Sequence, residues 1–179
     1  MNSYMHTYTG KKINPLAFIK DDIDIQDIAH ALSLLCRGGG HLKIFYSVAQ
    51  HSLNCAQEAF LRYQDSRLSL ACLLHDASEA YISDIIRPLK QHLKLYEDIE
   101  SQWMKVIFEK YKLSELKDED LLKIKRIDDD MLAYELYTLM EQQPKPSCLL
   151  KSQPCFAERY HHDVEKEFLE LFERLSNIK

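Results

Sequence analysis

The sequence predicts an all-α fold: a single-domain bundle of about six or more helices behind a short irregular or hairpin N-terminal arm. Three observations predict it. Apolar residues recur at i, i+3, i+4 and i+7 through most of the chain. Breakers are scarce, with four Gly and five Pro in 179 residues, and Pro144, Pro146 and Pro154 crowd one late stretch. Finally, LSLACLLHDASEAYI, from Leu68 to Ile82, has no Lys or Arg and is apolar on nearly all sides, as a buried helix is.

Composition excludes several classes. Hydrophobic residues make up 46% and charged ones 28%, ordinary for a globular protein whose length suffices for one core without disulfides. The five cysteines have no C-x-x-C spacing and an odd count, which argues against a zinc ribbon or a disulfide framework. No apolar run is long enough to span a bilayer and no signal-peptide pattern opens the chain, so a cytoplasmic protein is expected. With a net charge of −5 and no Lys/Arg stripe, duplex nucleic acid finds little electrostatic support. A small phosphorylated ligand needs only two or three local cations.

Residues 1–23 show little periodicity and read as the arm. Asp24 can cap a helix carrying Ile25, Ile28, Ala29, Leu32 and Leu35, expected to end at Arg37 before Gly38-Gly39-Gly40. On spacing alone Arg37 reads as a surface charge, and the glycines as a helix stop that also lets backbone approach a ligand. Ser47 with Gln50 forms a capping box that opens a helix to about Tyr63, with His51 in its second turn beside the core face of Val48, Ser52, Cys55 and Ala59. After the caps Asp65 and Ser66 comes the apolar helix, which places His75 and Glu79 on one face and Asp76 at its edge.

That helix should yield near Ser83-Asp84, since Arg87 precedes a proline. Pro88 suits the first turn of the next helix, expected to run to about Lys112 through Leu89, Leu93, Tyr96, Ile99, Trp103 and Ile107. Asp118 can cap another, in which Leu121, Ile124, Ile127, Asp128, Met131, Leu132, Glu135 and Leu139 share one sector. Of three consecutive aspartates, Asp128 points inward, Asp129 lies at the border and Asp130 faces solvent. A buried Asp128 needs a metal or an arginine nearby, and Glu135 a buried cation such as Arg87 or Arg126. Beyond the Pro-containing loop of residues 141–156, residues 157–176 form a last helix through Val164, Phe168, Leu171 and Leu175, with His161 and His162 as surface residues at its start.

His51, His75, Asp76 and Asp128 thus sit on three helices, each on or beside a core-facing stripe. Two imidazoles and two carboxylates suit one divalent transition-metal ion such as Mn²⁺, Co²⁺, Fe²⁺, Ni²⁺ or Zn²⁺. Such an ion can acidify a water and polarise a phosphoryl oxygen, and Glu79 is placed to exchange a proton with that water.

YSVAQHS at 46–52, LLHDASEAYISDIIRPLK at 73–90 and IKRIDDDMLAYE at 124–135 resemble the HD-domain metal-dependent phosphohydrolases, in the branch containing the bacterial 5′-deoxynucleotidases. DDIDIQDIAHALSLLCRGGGH at 21–41 looks like the version in small bacterial and phage members. The resemblance runs from about Tyr8 to Met140. It implies His51, His75, Asp76 and Asp128 as metal ligands, Glu79 as the residue that activates water, and Asp84 on the substrate side. It also implies Arg37 at the phosphate and sugar, with Lys90 as a second phosphate contact, and a homodimer; His41, just beyond the glycines, is a further candidate substrate-binding residue. Relatives commonly carry an aromatic residue where Gly38 stands here, so base and sugar preference do not transfer. His92, His161 and His162 do not supply the spacing of a two-metal branch, which favours a single metal.

The leading expectation is therefore a nucleotide phosphohydrolase, acting on a (deoxy)nucleoside 5′-monophosphate. A triphosphohydrolase of (deoxy)nucleoside triphosphates could use the same ligands. A non-catalytic nucleotide-binding module and a plain bundle with buried ion pairs are the readings from other classes.

Overall fold

The structure is a computed structural model that describes residues 4–177. The arm is a hairpin: β1 (Met5–His6) pairs antiparallel with β2 (Lys12–Ile13), Met5 opposite Ile13. It is fastened to the first helix, α1 (Ile25–Leu34), by Asp27, which accepts from the Thr9 N–H at 2.6 Å and the Thr9 hydroxyl at 3.0 Å. Residues 1–3 of the expected arm lie outside the described residues.

Asp24 caps α1, accepting from the Gln26 N–H at 3.0 Å. The helix ends at Leu34, three residues before the expected Arg37, because the chain turns extended to pair Cys36 with Ser47 and to send the Arg37 N–H to the Tyr46 carbonyl at 2.9 Å. Arg37 opens a tight turn through Gly40 in which Gly38 (φ 63°) and Gly39 (φ 62°) are both left-handed, a conformation that side chains with a Cβ adopt at a cost. This loop folds the Arg37 side chain inward.

The Ser47/Gln50 capping box is present, and α2 runs from Val48 to Tyr63 as expected. It is the central helix, packed against α1 and against α3 (Ser66–Leu73), α7 (Asp118–Leu139) and α8 (His161–Ser176). Buried Leu53, Ala56, Leu68, Leu73, Ile127, Met131, Val164 and Phe168 fill the space between them. Each large side chain so buried contributes about 1.5–3 kcal/mol.

The helix expected over residues 68–82 is two helices. After Leu73 the chain makes a turn through His75 and Asp76 and resumes as α4 (Glu79–Ile82). The Cys72 carbonyl accepts from the His75 ring at 2.7 Å, in the place where a continuing helix would supply a main-chain N–H. The next predicted helix is likewise divided, into α5 (Arg87–Lys90), with Pro88 in its first turn, and α6 (Lys94–Lys110). In α6 the fully buried Trp103 stacks on Tyr81 at 4.4 Å and donates to the Pro15 carbonyl at 2.8 Å.

Asp118 is the first residue of α7 rather than its cap, and Asp120 reaches back to the Lys117 N–H at 3.2 Å. Leu121 is 47% exposed and so leaves the predicted apolar sector. Residues 157–160 are not helical, Tyr160 being extended, and the last helix begins at His161. The preceding loop is held by one row of α2. Gln50 donates to the Ala157 carbonyl at 3.0 Å, Asn54 donates to the Cys155 carbonyl at 3.2 Å, and buried Glu58 accepts from the Lys151 and Ser152 N–H groups. Those bonds hold the Glu58 carboxyl below its usual range against burial, which acts the other way.

Candidate metal centre and adjoining cleft

Two imidazoles, His51 fully buried and His75 largely so, arrive from different directions with the same atom forward. His51, on α2, turns Nδ1 to Glu135 on α7 at 2.6 Å, and Glu135 also accepts from the Tyr46 hydroxyl at 3.0 Å, itself bonded to Asn54 at 2.8 Å. His75, on the turn after α3, turns Nδ1 to the Cys72 carbonyl at 2.7 Å. Each Nδ1–H donates to an oxygen, so each Nε2 is the atom presented to the site. The two Nε2 atoms stand 3.2 Å apart.

Two carboxylates close on the same point. Asp128 Oδ1 lies 3.1 Å from His51 Nε2 and 3.8 Å from His75 Nε2. Asp76 Oδ2 lies 3.3 Å from His75 Nε2 and 3.8 Å from His51 Nε2. Atoms ligating one first-row ion at about 2.1 Å stand about 3.0 to 3.4 Å apart. The shorter three separations match that range, and the other two exceed it slightly. Four lone-pair donors facing one another in a largely buried site call for a proton or a cation between them, so the donor set fits a metal.

His51, Cys55 and His75 also form a group able to hold a metal ion, their ligand atoms all within 4.8 Å of one another. The thiol is the poorer member. Cys55 Sγ is 3.4 Å from His51 Nε2 and 3.9 Å from its Nδ1, so it lies beside the ring rather than along the Nε2 lone pair. Burial also pushes the Cys55 thiol up to about 11, away from the thiolate that ligates. The two aspartates, by contrast, face the Nε2 atoms directly, Asp128 at 3.1 Å from His51 and Asp76 at 3.3 Å from His75.

The electrostatics follow from this crowding. Against burial and Arg37, which oppose its charge, the Glu135 and Asp128 carboxylates hold His51 well above the usual imidazole range. Burial opposes the charge of Asp128 too, but both imidazoles hold it far below the usual carboxylate range. Asp76 is lowered, His75 first and then His51 and Arg37 outweighing burial, and Glu135 is lowered against burial by His51 and Arg37. Glu79 behaves oppositely: burial, then the charges of Asp76 and Asp84, lift it well above the usual range. Its Oε2 is buried without a hydrogen-bond partner among the described residues.

A cleft of about 420 Å³ opens beside the cluster. Arg37, His41, Asp76, Glu79, Asp84, Lys90 and Asp128 all line it, so the structure gathers every predicted site residue except His51 and His75 at one opening. His75 faces an adjoining cleft of about 340 Å³ that shares Asp76, Lys90 and Asp128, while His51 is fully buried behind. A further hollow of about 490 Å³ between α2 and α8 includes none of these residues.

Arg37 is no surface charge. Its side chain is 12% exposed, with Nη1 3.2 Å from Asp76 and Nε 3.3 Å from Glu135. Glu135 therefore takes Arg37 and His51 as partners, not Arg87 or Arg126, because the left-handed glycine turn brings Arg37 across the site. Arg87 instead pairs with Asp128 and with Asp129, the latter at 2.6 Å. Asp130 is not solvated either, since Arg62 donates to it at 2.7 Å from α2. Lys90 is paired with Glu100, and Asp84 is lifted above its usual range by burial first and by Asp76.

The supporting residues Tyr46, Asn54 and the Cys72 carbonyl have no sequence signal that marks them. Glu135 had one, its place two turns beyond Asp128 on the same face.

No family model matches the chain. It is similar to YfdR of Escherichia coli, an uncharacterised protein, with 44% identity over 111 residues that cover 62% of this chain and 60% of that protein. It is also similar to an uncharacterised protein of Rhodobacter capsulatus, with 38% identity over 93 residues, 49% of this chain and 47% of that one. The chain thus spans about half to three fifths of the length of these relatives. Among the described residues no helix is long and apolar enough to cross a membrane.

Proposed function

We propose that this chain is an HD-type, metal-dependent phosphohydrolase that removes phosphate from a nucleotide, a (deoxy)nucleoside 5′-monophosphate in the first instance. The observation that carries this is the convergence of His51 Nε2, His75 Nε2, Asp76 and Asp128 within 3.1 to 3.8 Å, at the wall of a cleft that also holds Glu79 and Arg37.

A divalent ion held by these four side chains would acidify a water and polarise a phosphoryl oxygen. The chain's own residues supply the rest. Glu135 and the Cys72 carbonyl fix the ring tautomers, so both Nε2 atoms stay available. Glu79 lines the cleft with an Oε2 that has no hydrogen-bond partner among the described residues; as a carboxylate it would take a proton from the attacking water, and its raised affinity for protons would hold that proton well. Arg37 holds Asp76 in place and carries positive charge into the cleft. Ile85, Ile86, Pro88, Leu132, Leu136 and Met140 give the cleft an apolar wall, which suits a nucleoside, and its volume falls in the range of small-molecule sites, about 300 to 1,000 Å³.

The test uses dialysed protein, assayed with Mn²⁺ or Co²⁺ against nucleoside mono-, di- and triphosphates, with phosphate and triphosphate resolved as products. Metal-dependent release of phosphate that is lost in His75→Ala is expected. Release of triphosphate would move the substrate to a nucleoside triphosphate at the same site. Full activity of His75→Ala after dialysis, or no turnover with any of these metals and substrates, would overturn the proposal.

A further inference from the structure

Three cations reach the cleft, and they are not equally committed. Arg37 is nearly buried between Asp76 and Glu135. Lys90, a quarter exposed, is held by Glu100 and lies 5.5 Å from the Tyr96 ring centroid. Arg87 differs: its side chain is 49% exposed and lines the same cleft.

The partners of Arg87 put it beside the candidate metal centre. Asp128 divides its two oxygens, Oδ1 toward His51 and His75 and Oδ2 toward Arg87. The guanidinium is therefore one carboxylate away from the point where the four ligand atoms meet. Its second partner, Asp129, is also bonded to Lys125 at 2.7 Å, so Asp129 stays paired if Arg87 leaves it. Of the five N–H donors of a guanidinium, two are used among the described residues. The rest suit the planar, two-pronged recognition of a phosphate.

We propose that Arg87 is a phosphate contact of this site, a guanidinium that stays on Asp128 and exchanges Asp129 for an oxygen of the substrate's phosphoryl group. The assignment rests on the phosphohydrolase reading and adds a residue to it. Arg37, tied to both Asp76 and Glu135, then serves chiefly to position those carboxylates.

The test measures binding of inorganic phosphate to the full chain at saturating Mn²⁺, by calorimetry and by broadening of the phosphorus resonance, with the Mn²⁺ affinity measured separately. Wild type, Arg87→Gln and Arg87→Lys are compared. Loss of charge-assisted hydrogen bonds should weaken phosphate about ten- to a hundredfold in Arg87→Gln, with Arg87→Lys between it and wild type. Mn²⁺ affinity should change by no more than about threefold, the scale of context-dependent scatter. With a nucleotide substrate the loss should appear mainly in KM. Phosphate affinity equal to wild type in Arg87→Gln overturns the assignment, as does a loss confined to Mn²⁺ affinity, which would make Arg87 only a brace for Asp128. Wild-type protein that binds Mn²⁺ but no phosphate removes the phosphohydrolase reading, and this assignment with it.

Discussion

Glu135→Gln is the most informative single change, because the residue lies behind the metal centre and touches three of its supports. Its carboxylate accepts from His51 Nδ1 at 2.6 Å and the Tyr46 hydroxyl at 3.0 Å, and faces Arg37 Nε at 3.3 Å. The amide keeps the shape, removes the charge, and can present its oxygen to only some of these donors. Two charge-assisted bonds at about 1.5–3 kcal/mol each put the stability loss at roughly 3 to 6 kcal/mol, nearer 3 if one bond survives. At about 2–4 °C per kcal/mol for a chain of this length, the metal-free protein should melt about 6 to 24 °C lower, and about 6 to 12 °C lower if the loss is nearer 3 kcal/mol. Metal affinity should fall about 10- to 100-fold, the usual effect of losing the carboxylate behind a ligating histidine. Both are measured on one sample, by thermal melts in chelator and by competition for Mn²⁺ or Zn²⁺. Glu58→Gln is the control, since Glu58 holds the 151–152 backbone and Arg62 and touches none of the ligands. It should lower the melting temperature and leave metal affinity unchanged. If both variants bind metal as wild type does, the His51–Glu135 pair does not build a metal site and the reasoning is wrong.

The remaining predictions are shorter. Metal binding should release protons, because the carboxylates beside His51 raise its affinity for a proton and a ligating Nε2 must be free of one. Affinity should therefore rise with pH through neutrality, by up to about tenfold per unit, and calorimetry in buffers of different ionisation enthalpy should count the protons; a pH-independent affinity would contradict this. The metal-free protein should be most stable between roughly pH 4.5 and 6.5. Stabilisation from the lowered Asp76, Asp128 and Glu135 is present above their unfolded values and lost as pH falls through the folded ones. Stabilisation from the raised His51 is complete below its unfolded value and lost as pH rises above it, whereas the raised Glu79 already loses stability from its own lower unfolded value upward, which puts the maximum toward the acid end of that range; melts in chelator across this range test the shape. Cys55→Ser should keep metal affinity within about threefold, and cobalt-loaded wild type should show no sulfur-to-cobalt charge-transfer band, while Asp128→Asn should bind metal far more weakly.

By itself the sequence determined that the chain is helical, where several helices begin, and that His51 and Asp128 lie on or beside core-facing stripes. Asp24, Ser47 with Gln50, and Asp65 act through hydrogen bonds within three residues, so they are readable locally, and all three cap as expected. The phase of α7 likewise turned Asp128 toward the core on arithmetic alone. The rest belonged to the tertiary structure, because it depends on partners distant in sequence. The break after Leu73 keeps a side-chain bond in place of a main-chain one, and it swings His75 toward an imidazole 24 residues away. Arg37 reads as surface until a glycine turn and two acidic partners, 39 and 98 residues further along, draw it inside. Which cation pairs with which carboxylate among Arg37, Arg87, Glu135 and Asp128 is set by distances of a few ångströms between helices. No local rule encodes such distances, since Coulomb energies in a partly buried site change by kcal/mol when a partner moves that far.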